Sequence, residues 1–177
     1  AQIMIAGPKV VHRALGENLS NEELGGAGVA VDAAGTIDNA YPDEAGCLAA
    51  VRRFLSYLPQ NVWQLPERLA STDPAERQEP ELRTIVPERR SKPYDMRRLV
   101  ELVMDRESRF EIQPTYGKAV LCYLARLNGV AVGVVANNPM FHGGAPDVAA
   151  ARKQRHFVDL CDCFHLPLIF LVDTPGF

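Results

Sequence analysis

Between residues 137 and 145 the sequence reads NNPMFHGGA, and this stretch is the one best suited to chemistry. Gly143 and Gly144 have no Cβ, so their backbone N–H groups can come close to a ligand. The loop follows an apolar run and leads to Asp147, a residue type that caps helices. A helix start adds unpaired N–H donors and the positive end of a dipole. Such a loop can hold the oxyanion of a thioester or an enolate. The structural alternative is a plain left-handed turn ahead of a helix, and two adjacent glycines do not decide between the two. His142 lies inside the loop. His12, His156 and His165 lie elsewhere, and no Ser/His/Asp or Cys/His set follows from spacing alone.

A second candidate is DTPGF, residues 173–177, at the end of an apolar run. Ligands in open α/β folds gather at the carboxyl ends of strands. Asp173 can serve as a base there, but a turn-forming or capping role is the favoured reading. The glycines at 25, 26 and 28 fit neither the G-x-x-x-x-G-K-[ST] nor the G-x-G-x-x-G phosphate pattern, and read as a flexible turn. The pairs Arg89–Arg90 and Arg97–Arg98 read as solvated, with contact to coenzyme A phosphates as the alternative. Cys47, Cys122, Cys161 and Cys163 form no C-x-x-C pair and complete no zinc site. They are expected to be reduced thiols in or near a core. That fits a reducing compartment, the cytoplasm or a mitochondrial matrix, and no metal site is expected.

These loops need elements to place them. Residues 3–6 read as a short strand, and Pro8 suits the first turn of a helix that Gly16 stops. Ser20 with Glu23 has the spacing of a capping box. Residues 28–37 read as a weak strand. Asp43 caps a helix in which Cys47, Leu48, Val51, Phe54, Leu55 and Leu58 form one stripe. Residues 59–93 carry Pro59, Pro66, Pro74, Pro80, Pro87 and Pro93 among many charges, which predicts an extended linker at a domain boundary. After it, Asp95 caps a helix and residues 110–112 form a short strand. Asn128–Gly129 then joins two apolar runs, 119–127 and 130–136, as a hairpin with a type I′ turn. A helix from Asp147 buries Phe157, Leu160, Cys161 and Phe164. Residues 168–172 read as a buried parallel strand, joined to the hairpin by a right-handed crossover.

Composition narrows the function class. Of the 177 residues 47% are hydrophobic and 23% charged, as in a soluble globular protein. The net charge of −3 argues against a nucleic-acid partner. The apolar runs at 130–136 and 166–172 fall far short of the ~20 residues of a membrane helix. The chain begins without Met and stops at Phe177 just after a strong apolar run, so both ends are expected to be cuts.

In order along the chain, IAGPKVV, LGENLSNEELGGA and YPDEAGCLAAVRRFLSYLP resemble the end of the N-terminal half of acyl-CoA carboxyltransferase subunits. That family includes propionyl-, methylcrotonyl- and geranyl-CoA carboxylases. After the proline-rich bridge, the segments YDMRRLVELVMDRESRFEIQPTYGKAVLCYLARLNGVAVGVVANNP and HFVDLCDCFHLPLIFLVDTPGF resemble the opening of the C-terminal half. The resemblance covers nearly the whole chain. It implies an α/β crotonase-like fold of ββα layers, with residues 1–58 ending one half, 59–93 linking, and 94–177 starting the other.

The resemblance further implies transfer of a carboxyl group from carboxybiotin to the α-carbon of an acyl-CoA. Biotin would arrive on a separate carrier domain, with a biotin carboxylase subunit as partner, and the full-length subunit would form a hexamer. By the pattern of crotonase-like folds, Gly143, Gly144 and Ala145 match a loop that offers a backbone donor on the biotin side. Asn137, Asn138 and His142 flank it, and Gly176 and Phe177 begin the segment toward a partner donor. The family's other glycine pairs would lie outside residues 1–177, so this stretch alone is expected to be inactive. Three alternatives stay open: a biotin-dependent acyl-CoA decarboxylase of the same family, a non-catalytic crotonase-like module, and a single-domain hydratase or isomerase, against which the linker argues. Residues 1–58 and 94–177 are expected to belong to two separate cores with much apolar surface exposed.

Overall fold

A computed structural model describes residues 2–71, 73, 74, 76–89 and 92–176. Its centre is a four-stranded mixed sheet in the order β1-β2-β3-β4. The strands are β1 (Phe110–Ile112), β2 (Val120–Leu127), β3 (Val130–Asn137) and β4 (Leu168–Leu171). β2 and β3 form the expected antiparallel hairpin, with Leu127 opposite Val130. Asn128 at φ 50° and Gly129 at φ 75° make its left-handed turn, the conformation that Asn-Gly favours. β3 and β4 run parallel, with Ala136 opposite Leu171.

Both faces of this sheet are covered, which is why the run Val120–Ala125 of β2 is apolar without alternation. Val120, Cys122 and Leu124 of β2 share one core with Phe157 and Cys161 of α5 (Val148–Cys163). Leu121, Tyr123 and Ala125 point the other way and share a second core with Met96, Val100 and Met104, at α4 (Met96–Val103) and its end. Gly133 lets α5 lie close: a Cβ there would collide with Cys161 Sγ. Asp95 and Asp147 cap α4 and α5 as expected, accepting from the amides of Arg97 and Ala150.

The first third of the chain holds α1 (Pro8–Leu15), α2 (Asn21–Gly25) and α3 (Glu44–Leu55). Gly16 ends α1 at φ 76°, the capping box of Ser20 and Glu23 starts α2, and Asp43 caps α3. Three expectations are corrected here. Residues 3–6 form no strand: Ile3 donates one backbone bond to Gly25, and a single bond is no ladder. Residues 28–37 are not extended either, since Gly28–Ala33 coil into a π-helical turn with Ala30 and Val31 buried side by side. β4 is not a fully buried strand, because it stands at the sheet's edge with Phe170 50% exposed.

Two more corrections concern packing. The residues at the end of α3 do not keep to a core of their own: Phe54, Tyr57 and Leu58 pack into the α5 side of the sheet, and the Tyr57 hydroxyl donates to the Ser108 carbonyl. Of the four free thiols, Cys122 and Cys161 are buried, while Cys47 and Cys163 are exposed. Burial pushes the Cys122 and Cys161 thiols up to about 12, which keeps them inert. Among its described residues the proline-rich stretch runs without strands and holds one short 3₁₀ turn, Pro80–Arg83. It is tied down by Arg77, which donates to the Leu102 and Met104 carbonyls, and by Leu69, whose amide donates to Gly129.

Candidate functional site

Because β3 and β4 are parallel neighbours, the loops that leave their carboxyl ends lie side by side. The loop after β3 contains a 3₁₀ turn, His142–Gly144, with left-handed backbone at His142 (φ 50°), Gly143 (φ 63°) and Gly144 (φ 88°). The loop after β4 carries Asp173, Thr174 and Pro175. Between them and the approach to α4 lies a cleft of about 750 Å³, lined by Gly143, Pro139, Asp173, Thr174, Pro175 and Tyr94, with Lys92 and Pro87 across from the strand ends.

The glycine turn is held mostly by its own backbone. Gly144 N–H donates to the Phe141 carbonyl (2.9 Å) and Ala145 N–H to the His142 carbonyl (3.1 Å). These two amides are engaged internally, so of the three residues of the expected donor loop Gly143 alone spends no N–H within the turn. Gly143 is the residue of the three that lines the cleft, and no bond of the turn uses its N–H. A Cβ at Gly143 would meet open space, whereas one at Gly144 would collide with the Asp173 carbonyl oxygen. Gly144 is therefore the point of close approach between the two loops, and Gly143 is the face they offer to the cleft.

Asn137 and Asn138 divide the work of the strand end. Asn138 is 1% exposed, donates to the Lys118 carbonyl (2.9 Å) and accepts from the Met140 amide (3.3 Å). That is a structural role away from the cleft. Asn137 spans the two loops: its Nδ2 donates to the Gly144 carbonyl (2.8 Å) and its Oδ1 accepts from the Asp173 amide (3.2 Å). His142 is exposed, 3.9 Å from Asp147, and lies outside the cleft lining. Gly176 adopts φ 135° and its amide donates to Thr174 Oγ1 (3.3 Å). Phe177 lies outside the described residues.

Spacing gave no hint of Tyr94 as a site residue. Its hydroxyl donates to Asp173 Oδ2 at 2.7 Å across 79 positions of sequence. Burial and the adjacent carboxylate push the hydroxyl's pKa upward, so it stays a donor across the neutral range. Asp173 is thus held by a neutral donor and is not free to serve as an unrestrained base. What lines the cleft is a glycine without a Cβ, a lysine and a tethered carboxylate. Among the described residues no group of three His, Cys, Asp or Glu side chains has metal-binding geometry, and no helix is long and apolar enough to cross a membrane.

Comparison with known proteins places these features in context. A family model described as the carboxyl transferase domain matches residues 1–177. The propionyl-CoA carboxylase beta chain of Roseobacter denitrificans is 38% identical over 175 residues, covering 99% of this chain and 34% of that one. The methylmalonyl-CoA decarboxylase subunit alpha of Veillonella parvula is 32% identical over 177 residues, covering 100% and 35%. The structure of transcarboxylase 12S, described as a hexamer assembly with hydrolysed methylmalonyl-coenzyme A bound, superposes with a TM-score of 0.95 at 34% identity, covering 100% of this chain and 35% of that chain. The chain therefore spans about a third of the length of these relatives.

Proposed function

The chain belongs to the carboxyl transferase domain family, and from that premise we propose that it is part of an enzyme that moves a carboxyl group from carboxybiotin to the α-carbon of an acyl-CoA. Residues 1–58 then end the N-terminal half of the enzyme, 59–93 link, and 94–177 begin the C-terminal half. Biotin would be delivered by a carrier domain or subunit, with a biotin carboxylase as partner, and the complete subunit would assemble as a hexamer in the cytoplasm or a mitochondrial matrix.

The observation that carries this reading is the cleft at the carboxyl ends of β3 and β4, where the Gly143 amide has no hydrogen-bond partner among the described residues and the carboxylate of the lining, Asp173, is already tied to Tyr94. Such a site stabilises negative charge and does not need a side-chain base. When bound, carboxybiotin supplies the carboxyl group and can itself provide the base. The work left to this chain is to hold an oxygen that becomes anionic. The open space in front of Gly143 fits that use, as does a loop fixed at the ends of two paired strands.

The test is incorporation of labelled bicarbonate into an acid-stable acyl-CoA product by the complete polypeptide, together with a biotin carboxylase and biotinylated carrier. Product with at least one short acyl-CoA is expected; failure across a panel of chain lengths refutes the reading. The match of all 177 residues to part of a decarboxylase subunit supports a second direction, loss of the carboxyl group from a malonyl-type CoA onto biotin, scored in the same assay run with the carboxylated thioester. The 177-residue chain by itself is expected to show no turnover.

A further inference from the structure

We infer that Asn137 is a positioning residue whose single carboxamide sets the spacing between the two strand-end loops, and through it the direction in which the Gly143 amide faces the cleft. The inference rests on the proposed carboxyl transfer for its kinetic consequence, but its geometry stands alone.

Three observations converge. The carboxamide uses both ends at once, Nδ2 toward the Gly144 carbonyl (2.8 Å) and Oδ1 from the Asp173 amide (3.2 Å). The loops it joins are in direct backbone contact, since no Cβ fits at Gly144 against the Asp173 carbonyl. Beyond Asp173 the second loop has another anchor, the Tyr94 hydroxyl on the carboxylate. Gly143 sits one residue before Gly144 with left-handed backbone and open space where a Cβ would stand. Its orientation is therefore inherited from Gly144, which Asn137 holds. No aspartate or glutamate can replace this residue, because an ionised carboxylate accepts but does not donate. It would set a negative charge against the Gly144 carbonyl oxygen.

Displacing a catalytic group by about 1 Å can cost roughly 100-fold in rate. Interactions made only in the transition state lower kcat and kcat/KM together. In the complete polypeptide, Asn137→Ala is expected to lower kcat roughly 100-fold with the KM for acyl-CoA unchanged. Asn137→Asp is expected to show a similar deficit at neutral pH that narrows as pH is lowered, because protonation restores a donor toward Gly144. Backbone amide exchange in 142–145 and 173–174 should rise in both variants without a matching rise in β2. A kcat within about twofold of the parent, a loss confined to KM, or an Asn137→Asp deficit that does not change with pH overturns the inference. If the parent itself transfers no carboxyl group, the functional reading falls and amide exchange decides the inference alone: unchanged exchange overturns it, and faster exchange confined to the two loops upholds it.

Discussion

The segment from Tyr94 onward and the segment before residue 66 have similar shares of apolar residues but treat them in opposite ways. In the first, Val100, Met104, Leu121, Leu124, Val134 and Phe157 are sealed between a sheet and two helices. In the second, neither α1 nor α3 buries a single residue, and Ile5, Leu15, Leu48, Val51, Leu55 and Trp63 stand in the open. The difference is one of partners. A strand pair closed by Asn128–Gly129 creates its own neighbour within twenty residues, and α4 and α5 then cover its faces. A helix creates no such neighbour; its stripe waits for another element, and for α3 the sheet reaches only Phe54 with Tyr57 and Leu58 just beyond its end.

The contrast is broken most directly at Phe157, fully buried between α5 and the sheet. Phe157→Ala is expected to cost about 3–5 kcal/mol, the range for deleting a buried ring and leaving a cavity. Urea unfolding followed by circular dichroism measures this. A cost below about 1 kcal/mol would mean that the α5 side of the sheet is no better packed than the helices of the first segment.

What the sequence disclosed follows the same division. Caps at Ser20, Asp43, Asp95 and Asp147 were legible because capping is a local bond, made within three residues. The hairpin was legible because Asn-Gly is the residue pair that tolerates its turn. The π-helical turn at Gly28–Ala33 was not, because glycine, alanine and valine in alternation satisfy a strand as well as a coil until a ladder partner is found missing. At the site, the glycine loop and DTPGF were visible as turn formers at strand ends. The bonds that join them were not: Tyr94 meets Asp173 across 79 positions, and Asn137 meets it across 36. Nor does spacing tell that Gly144 spends its amide within the turn while Gly143 does not.

A smaller effect sharpens the contrast from the polar side. Lys153 is 1% exposed in α5, and its Nζ donates to the Gln113 (2.7 Å) and Tyr116 (3.1 Å) carbonyls, pinning the left-handed Gln113. Lys153→Met leaves those carbonyls without this donor and is expected to cost about 1–3 kcal/mol. Burial lowers this lysine's pKa from its ordinary 10.5. Over the window between its folded pKa and 10.5 the unfolded chain binds more protons, so the parent gains stability relative to the variant as pH rises, and loses that gain as pH falls. Denaturant midpoints of both proteins at neutral pH and near pH 10 check the sign: a gap that narrows on the alkaline side would contradict a buried, desolvated ammonium.

The smallest effect is expected where the apolar residue is most conspicuous in sequence. Leu48 belongs to the predicted stripe of α3, yet it is 50% exposed, and α3 buries none of its residues. Leucine and alanine differ little in helix propensity, and the Asp43 cap that starts the helix is untouched by the change. Leu48→Ala in the 177-residue chain should therefore shift stability by no more than about 0.5 kcal/mol, the usual bound for a surface position. The informative partner is Phe54→Ala on the same helix, which removes a ring 6.1 Å from that of Phe110 and packed on the sheet. If both substitutions cost the same, α3 packs along its whole length and the division between the two segments disappears. If only Phe54→Ala is costly, the stripe is a seam touched at one end, and its apolar periodicity records a contact that the sheet of this chain does not provide.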